Sequence, residues 1–192
     1  MNARPPQGGP GQAERGATLL IAMVMLLVIG LSSVSVMRNV GTADGVANNV
    51  RLRAQAGQAA QLALQFCIHQ IELATPTVTV FPAPVAPVPP AWTDAANWLG
   101  RGTRNAYTLA ASTDFVGGGA PPVRPQCLIE QRAFAGTYSV TARGFSPDFQ
   151  ADSTSGIARA GAVVWLQADV WAPVAGQPVR TRTWQQLAAA PL

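Results

Sequence analysis

No lysine occurs in this chain; all 13 basic residues are arginine. Charged residues of both signs make up only 11%, and the formal net charge is +4. The closest cation pairs are Arg51/Arg53, Arg101/Arg104 and Arg180/Arg182. Nucleic-acid recognition wants clustered cations interleaved with aromatics, so no nucleic-acid partner is expected. Histidine is nearly absent as well. His69 stands alone, which leaves no basis for a nucleophile–histidine–acid arrangement or for a zinc site with four nitrogen or sulfur ligands. The acids Asp94, Asp114, Glu130, Asp148, Asp152 and Asp169 are scattered. Asp148 and Asp152 share a turn-rich segment, but calcium wants six or more oxygens, and no recognised loop spacing surrounds them. Gly117–Gly119 lacks the lysine and following helix of a phosphate-cradling loop. The composition therefore predicts no enzyme, no cofactor and no metal.

Cysteine is also scarce. Cys67 and Cys127 are the only two. In an exported domain such a pair is usually a disulfide; the competing reading is two unpaired buried thiols.

What the chain does have is an apolar run. Ala17-Thr18-Leu19-Leu20-Ile21 opens a segment that carries no charge until Arg38. A membrane-crossing helix needs about 20 apolar residues, and residues 17–37 supply that length. Three readings compete: a discarded secretory signal, an uncleaved single-pass anchor, and a leader cut after Gly16 that leaves the helix on the mature protein. The third is favoured. Gly16 follows the charged Glu14 and Arg15 and meets the apolar run abruptly. The helical pattern also continues: from Arg38 to Leu73 there is no proline, and Leu52, Ala56, Ala59/Ala60, Ala63, Phe66/Cys67 and Ile71 recur at helical spacing. Gly30, Gly41, Gly45 and Gly57 would each weaken that helix by about 1 kcal/mol relative to alanine. A bend near Gly30 or Gly41–Gly45 is expected.

Arg15-Gly16-Ala17-Thr18-Leu19-Leu20-Ile21 resembles the type IV prepilin signal, a polar leader ending in glycine before a small or aromatic residue and then Thr-Leu. Leu31-Ser32-Ser33-Val34-Ser35-Val36-Met37-Arg38 is similar to the helix exit of PilX-type minor pilins. Ala56–Leu64 resembles the Ala-rich second helical half of that group. The resemblance covers residues 14–73; beyond them it is loose, through Tyr138–Gly144. It implies cleavage by a prepilin peptidase after Gly16, methylation of Ala17, and filament assembly through Thr18, Leu19, Leu20, Ile21, Leu26 and Leu27. It also implies other minor pilins as partners, the inner membrane with a periplasmic C-terminal domain as first location, and the pilus as the last. Major pilins carry a glutamate at the fifth mature position; here that position is Ile21. The departure argues for a minor subunit in an initiation or tip complex. The alternatives are a pseudopilin of a type II secretion system and a membrane-anchored periplasmic binding module.

Beyond the helix, Pro76, Pro82, Pro84, Pro87, Pro89 and Pro90 forbid helix and disfavour a central strand. An extended connector is expected, followed by a short helix whose Trp92 and Trp98 pack as a cap on the long helix or on the sheet. A brief strand is expected at Tyr107–Ala111. Strand alternation marks Cys127–Phe134, Thr137–Arg143, Gly161–Trp171 and Arg180–Leu187, with Gly144–Ile157 a long turn region. The chain thus divides into a leader (1–16), a transmembrane or assembly helix (17–37), its amphipathic continuation (38–73), a Pro/Gly-rich connector (74–125) and a sheet region (126–192). The expected class is α+β and pilin-like: a long N-terminal helix, transmembrane in its first half and amphipathic in its second, packed on an antiparallel sheet with one buried face.

Overall fold

The computed structural model of the chain describes residues 13–73, 75–110, 122–172, 177–188 and 191–192, with side chains in α1 described for 17–33 and 44–72. The chain divides into two compact units, Met1–Asn48 and Asn49–Leu192. Helix α1 (Ala13–Glu72) supplies the described part of the first unit and the opening of the second. The backbone stays helical through Gly30, Gly41, Gly45 and Gly57, so these glycines do not interrupt it. Leader residues 1–12 and the Gly117–Gly119 loop lie outside the described residues.

The α+β class stands, but its transmembrane part needs correction. Among the described residues, no helix is long and apolar enough to cross a membrane.

In the second unit, α1 lies on one face of a mostly antiparallel sheet. Short β1 (Val80–Phe81) and β2 (Tyr107–Thr108) both pair with β3 (Gln126–Gln131). Next come β4 (Thr137–Phe145), β7 (Val163–Trp171) and β8 (Arg180–Gln186), in the order β1-β3-β4-β7-β8. A separate hairpin joins β5 (Gln150–Ala151), inside the stretch expected to be turn alone, to β6 (Ala158–Ala160), just past its end.

Alternation sends one set of strand side chains to α1. Cys127, Ile129, Val140, Ala142, Leu166, Ala168 and Val170 are buried against Ala56, Ala60, Ala63, Leu64, Cys67, Ile68 and Ile71. At Ala56, Ala60 and Ala63 the helix presents small side chains to the sheet, so the two backbones approach closely there. Cys67 and Cys127 are bonded, with Cα atoms 6.3 Å apart. This settles the cysteine question in favour of the disulfide.

The sheet was expected to bury one face; it buries much of both. The second face carries Leu128, Thr141, Arg143, Phe145 and Trp165, and the connector returns to cover it. A 3-10 turn at Ala91–Thr93 and helix α2 (Ala95–Trp98) press Ala91 and Trp98 onto Leu128 and Trp165. Asp94 caps α2 by accepting the Ala96 N–H at 2.9 Å. The connector is also not strand-free: β1 pairs in parallel with β3, placing Val80 opposite Ile129. Val80 and Phe81 precede Pro82, so their own N–H groups remain able to join a sheet edge.

Candidate functional site

Helix positions 19–31 carry the most conspicuous surface. Leu19, Leu20, Ile21, Leu26, Leu27 and their apolar neighbours are between 51% and 70% exposed. Apolar side chains occur all round this stretch, and such a helix ordinarily has its surface covered by something. Met23, Leu26, Leu27, Gly30 and Leu31 line a shallow apolar groove. Gly30 keeps that groove open, since a Cβ there would meet nothing within 4 Å. Ser32 and Ser33 donate their hydroxyls to the carbonyls of Val28 and Ile29 at 2.7 and 2.8 Å. Their polarity is thereby returned to the helix backbone, leaving a small, nearly apolar exit.

Gly16, Ala17 and Thr18 all lie inside α1, which starts upstream of the candidate cut. Ala17 and Thr18 are exposed. Thus the assembly residues read from sequence share one exposed helical segment, whereas the Cys67–Cys127 pair belongs to the core of the second unit.

That unit holds a polar cluster which sequence reasoning missed. Arg143 is buried on the connector side of the sheet. Its guanidinium carbon lies 5.4 Å from the Trp98 ring, 5.3 Å from Trp165 and 5.2 Å from Phe145. Its Nε donates to Gln126 Oε1 and its Nη2 to the Trp98 carbonyl, both at 2.7 Å. Burial pushes its pKa down to about 10. Three aromatic faces and two acceptors hold the cation without a carboxylate partner in these contacts. The available sequence signal is the two-residue spacing of Arg143 with Thr141 and Phe145, which puts the three on one face of β4.

Glu130 lies on the same face, four residues along β3 from Gln126, the partner of Arg143. It accepts the Ala91 N–H at 2.8 Å and pairs with Arg104 at 3.2 Å. Burial raises its pKa, opposed by the Ala91 N–H and the nearby Arg104. Glu130 and Arg143 thus pin the returning connector at two points. Asp148 and Asp152 serve local turns, whereas Asp114 lies outside the described residues. Asp148 accepts the Ser146 hydroxyl, and Asp152 accepts the N–H groups of Thr154 and Ser155 and pairs with Arg159. His69 is exposed and contacts Glu72 at 3.2 Å. Among the described residues, no three metal-ligating side chains gather.

No protein-family model, curated protein or solved structure matches this chain.

Proposed function

We propose that this chain is a minor pilin, PilX-like in its N-terminal signal, that takes part in assembling a type IV pilus. The observation that carries the reading is the exposed apolar surface of residues 19–31. Its area has no cover within the chain's described residues, and the helices of neighbouring subunits would supply one. Gly30 and the two serines give that surface a small-residue end, where a second helix can approach closely. The disulfide fits an exported domain. Ile21, at the position where major pilins place a glutamate, suits a subunit that starts or caps a filament.

In this reading a prepilin peptidase cleaves after Gly16 and Ala17 becomes the methylated N-terminus. The apolar helix surface joins the other subunits, and the disulfide-bonded domain selects them. Mass spectrometry of the protein recovered from pili tests this directly. The expected N-terminus is Ala17; Met1 retained in the functional protein overturns the processing step. A Leu27→Asp chain that still enters pili at the normal level overturns the assembly role of the helix.

A further inference from the structure

The connector-side face of the sheet changes character along its strands. One end, around Trp98, Leu128 and Trp165, is covered and apolar. At the other end the register places Glu130, Ser139, Asp169 and Thr183 in one row across β3, β4, β7 and β8. The neighbouring row ends in Gln167 and Gln185, bonded amide to amide at 3.1 Å. Two hollows lie over these rows, one of about 270 Å³ walled by Pro84, Pro90 and Trp92, the other of about 330 Å³ beside Phe134. They share Arg132, and their combined size falls within the usual range of ligand clefts, roughly 300–1,000 Å³.

We infer that this trough is a binding site for a neutral oligosaccharide. Three observations point to that chemistry. First, the floor is polar but its charges are matched: Arg132 is paired with Asp169 and Arg104 with Glu130. An ionic ligand would have to break a pair, whereas a hydroxylated neutral one would not. Second, the Ser139 hydroxyl lies on the floor of the Trp92 hollow, buried and without a hydrogen-bond partner among the described residues. Ser139 is only 6% exposed, and a buried hydroxyl is ordinarily satisfied. A ligand hydroxyl can complete it. Third, Trp92 and Phe134 stand at opposite ends of the trough. Each offers an apolar ring to the C–H face of a sugar while the amides and hydroxyls between them take its O–H groups. Phe134 is 80% exposed, a large aromatic at the rim.

The test is titration of the full chain with maltohexaose, cellohexaose and chitohexaose, followed by tryptophan fluorescence and calorimetry. A detergent without a sugar headgroup keeps the apolar helix in solution without competing. The expected result is saturable binding of at least one hexasaccharide. Phe134→Ala should weaken it about tenfold and Ser139→Ala about fivefold, about 1.4 and 1 kcal/mol as ratios. Trp184→Ala, on the opposite face, should leave it unchanged. Phe134 is a surface side chain, so its variant reports binding even if Ser139→Ala disturbs folding. The inference is overturned if none of the three sugars saturates at millimolar concentration, or if binding survives Phe134→Ala unweakened. It is equally overturned if Trp184→Ala weakens binding as much. Pilus incorporation is a separate readout, so failure here leaves the assembly reading intact, and the reverse holds.

Discussion

Gly144 of β4 rests directly on the backbone of α1 beside Ala60. A Cβ at position 144 would stand 2.6 Å from the Ala59 carbonyl carbon and closer still to the Ala60 nitrogen and the Ala56 oxygen. No rotamer relieves such a clash, because the atoms opposed are main-chain atoms. Gly144→Ala must therefore lift the helix from the sheet, and overpacking of this kind costs about 1–3 kcal/mol or more. Urea denaturation of the variant should show the loss. Gly57→Ala provides the contrast: its Cβ would meet nothing within 4 Å, so helix propensity should make it neutral to stabilising, by up to about 1 kcal/mol. Equal destabilisation by both substitutions would contradict this packing.

The Cys67–Cys127 bond closes a loop with a sequence separation of 60. Loop-closure entropy makes it worth about 4 kcal/mol. The paired Cys67→Ala, Cys127→Ala chain should lose stability on that scale, and reducing agent should do the same to the native chain. Denaturation with and without reductant checks both. A native chain indifferent to reductant, after loss of the bond is verified by thiol labelling, would contradict the expectation.

Arg143 is held by ring faces as much as by hydrogen bonds, so its shape matters beyond its charge. Arg143→Lys keeps the charge but loses the planar fork that reaches both Gln126 and the Trp98 carbonyl. The expected cost is about 2–3 kcal/mol, with Arg143→Ala at least as harmful because it also empties the space between the rings. Near-ultraviolet circular dichroism should report the disturbed Trp98–Trp165 pair, whose ring centroids are 4.6 Å apart. A lysine variant with native stability and an unchanged spectrum would show the stacking to be dispensable.

Glu130 gives a pH dependence with a definite sign. Its folded carboxyl titrates above the ordinary value because it is buried. The native state therefore keeps this proton where the unfolded chain has released it. Stability from this group is greatest below the ordinary carboxylate value and declines as pH rises through the folded one. Glu130→Gln should flatten that part of the profile. Melting temperatures between about pH 4 and pH 7 measure it; a slope unaffected by the substitution would assign it to another group.

The parts of this fold legible in sequence were those written as periodicity. Alanines at helical spacing placed the face of α1 that meets the sheet, and alternation located β3, β4, β7 and β8 to within a few residues. The cysteine pair was legible because a two-cysteine chain has one intramolecular pairing. What was not legible depended on return of the chain. The prolines in the connector announce extended backbone but not where it goes, so β1 was missed and the cover by Trp98 was left between helix and sheet. Arg143 was not singled out for the same reason: its burial comes from Trp98, 45 positions away in sequence. The apolar run illustrates the opposite limit. Composition named it, yet among the described residues no helix is long and apolar enough to cross a membrane. The exposed segment with Leu19, Leu20, Ile21, Leu26 and Leu27 is thus the part of the candidate site that sequence located, while the polar rows beneath Trp92 required the strand register.

The disulfide also fixes how this domain would bear a load. Tension drawn along α1 reaches Cys67 and passes through the sulfur bridge directly into β3. The chain between the two cysteines forms a slack loop in parallel with that strap. The connector, its tryptophans and its pinning contacts to Glu130 and Arg143 would therefore keep their arrangement while the helix is pulled.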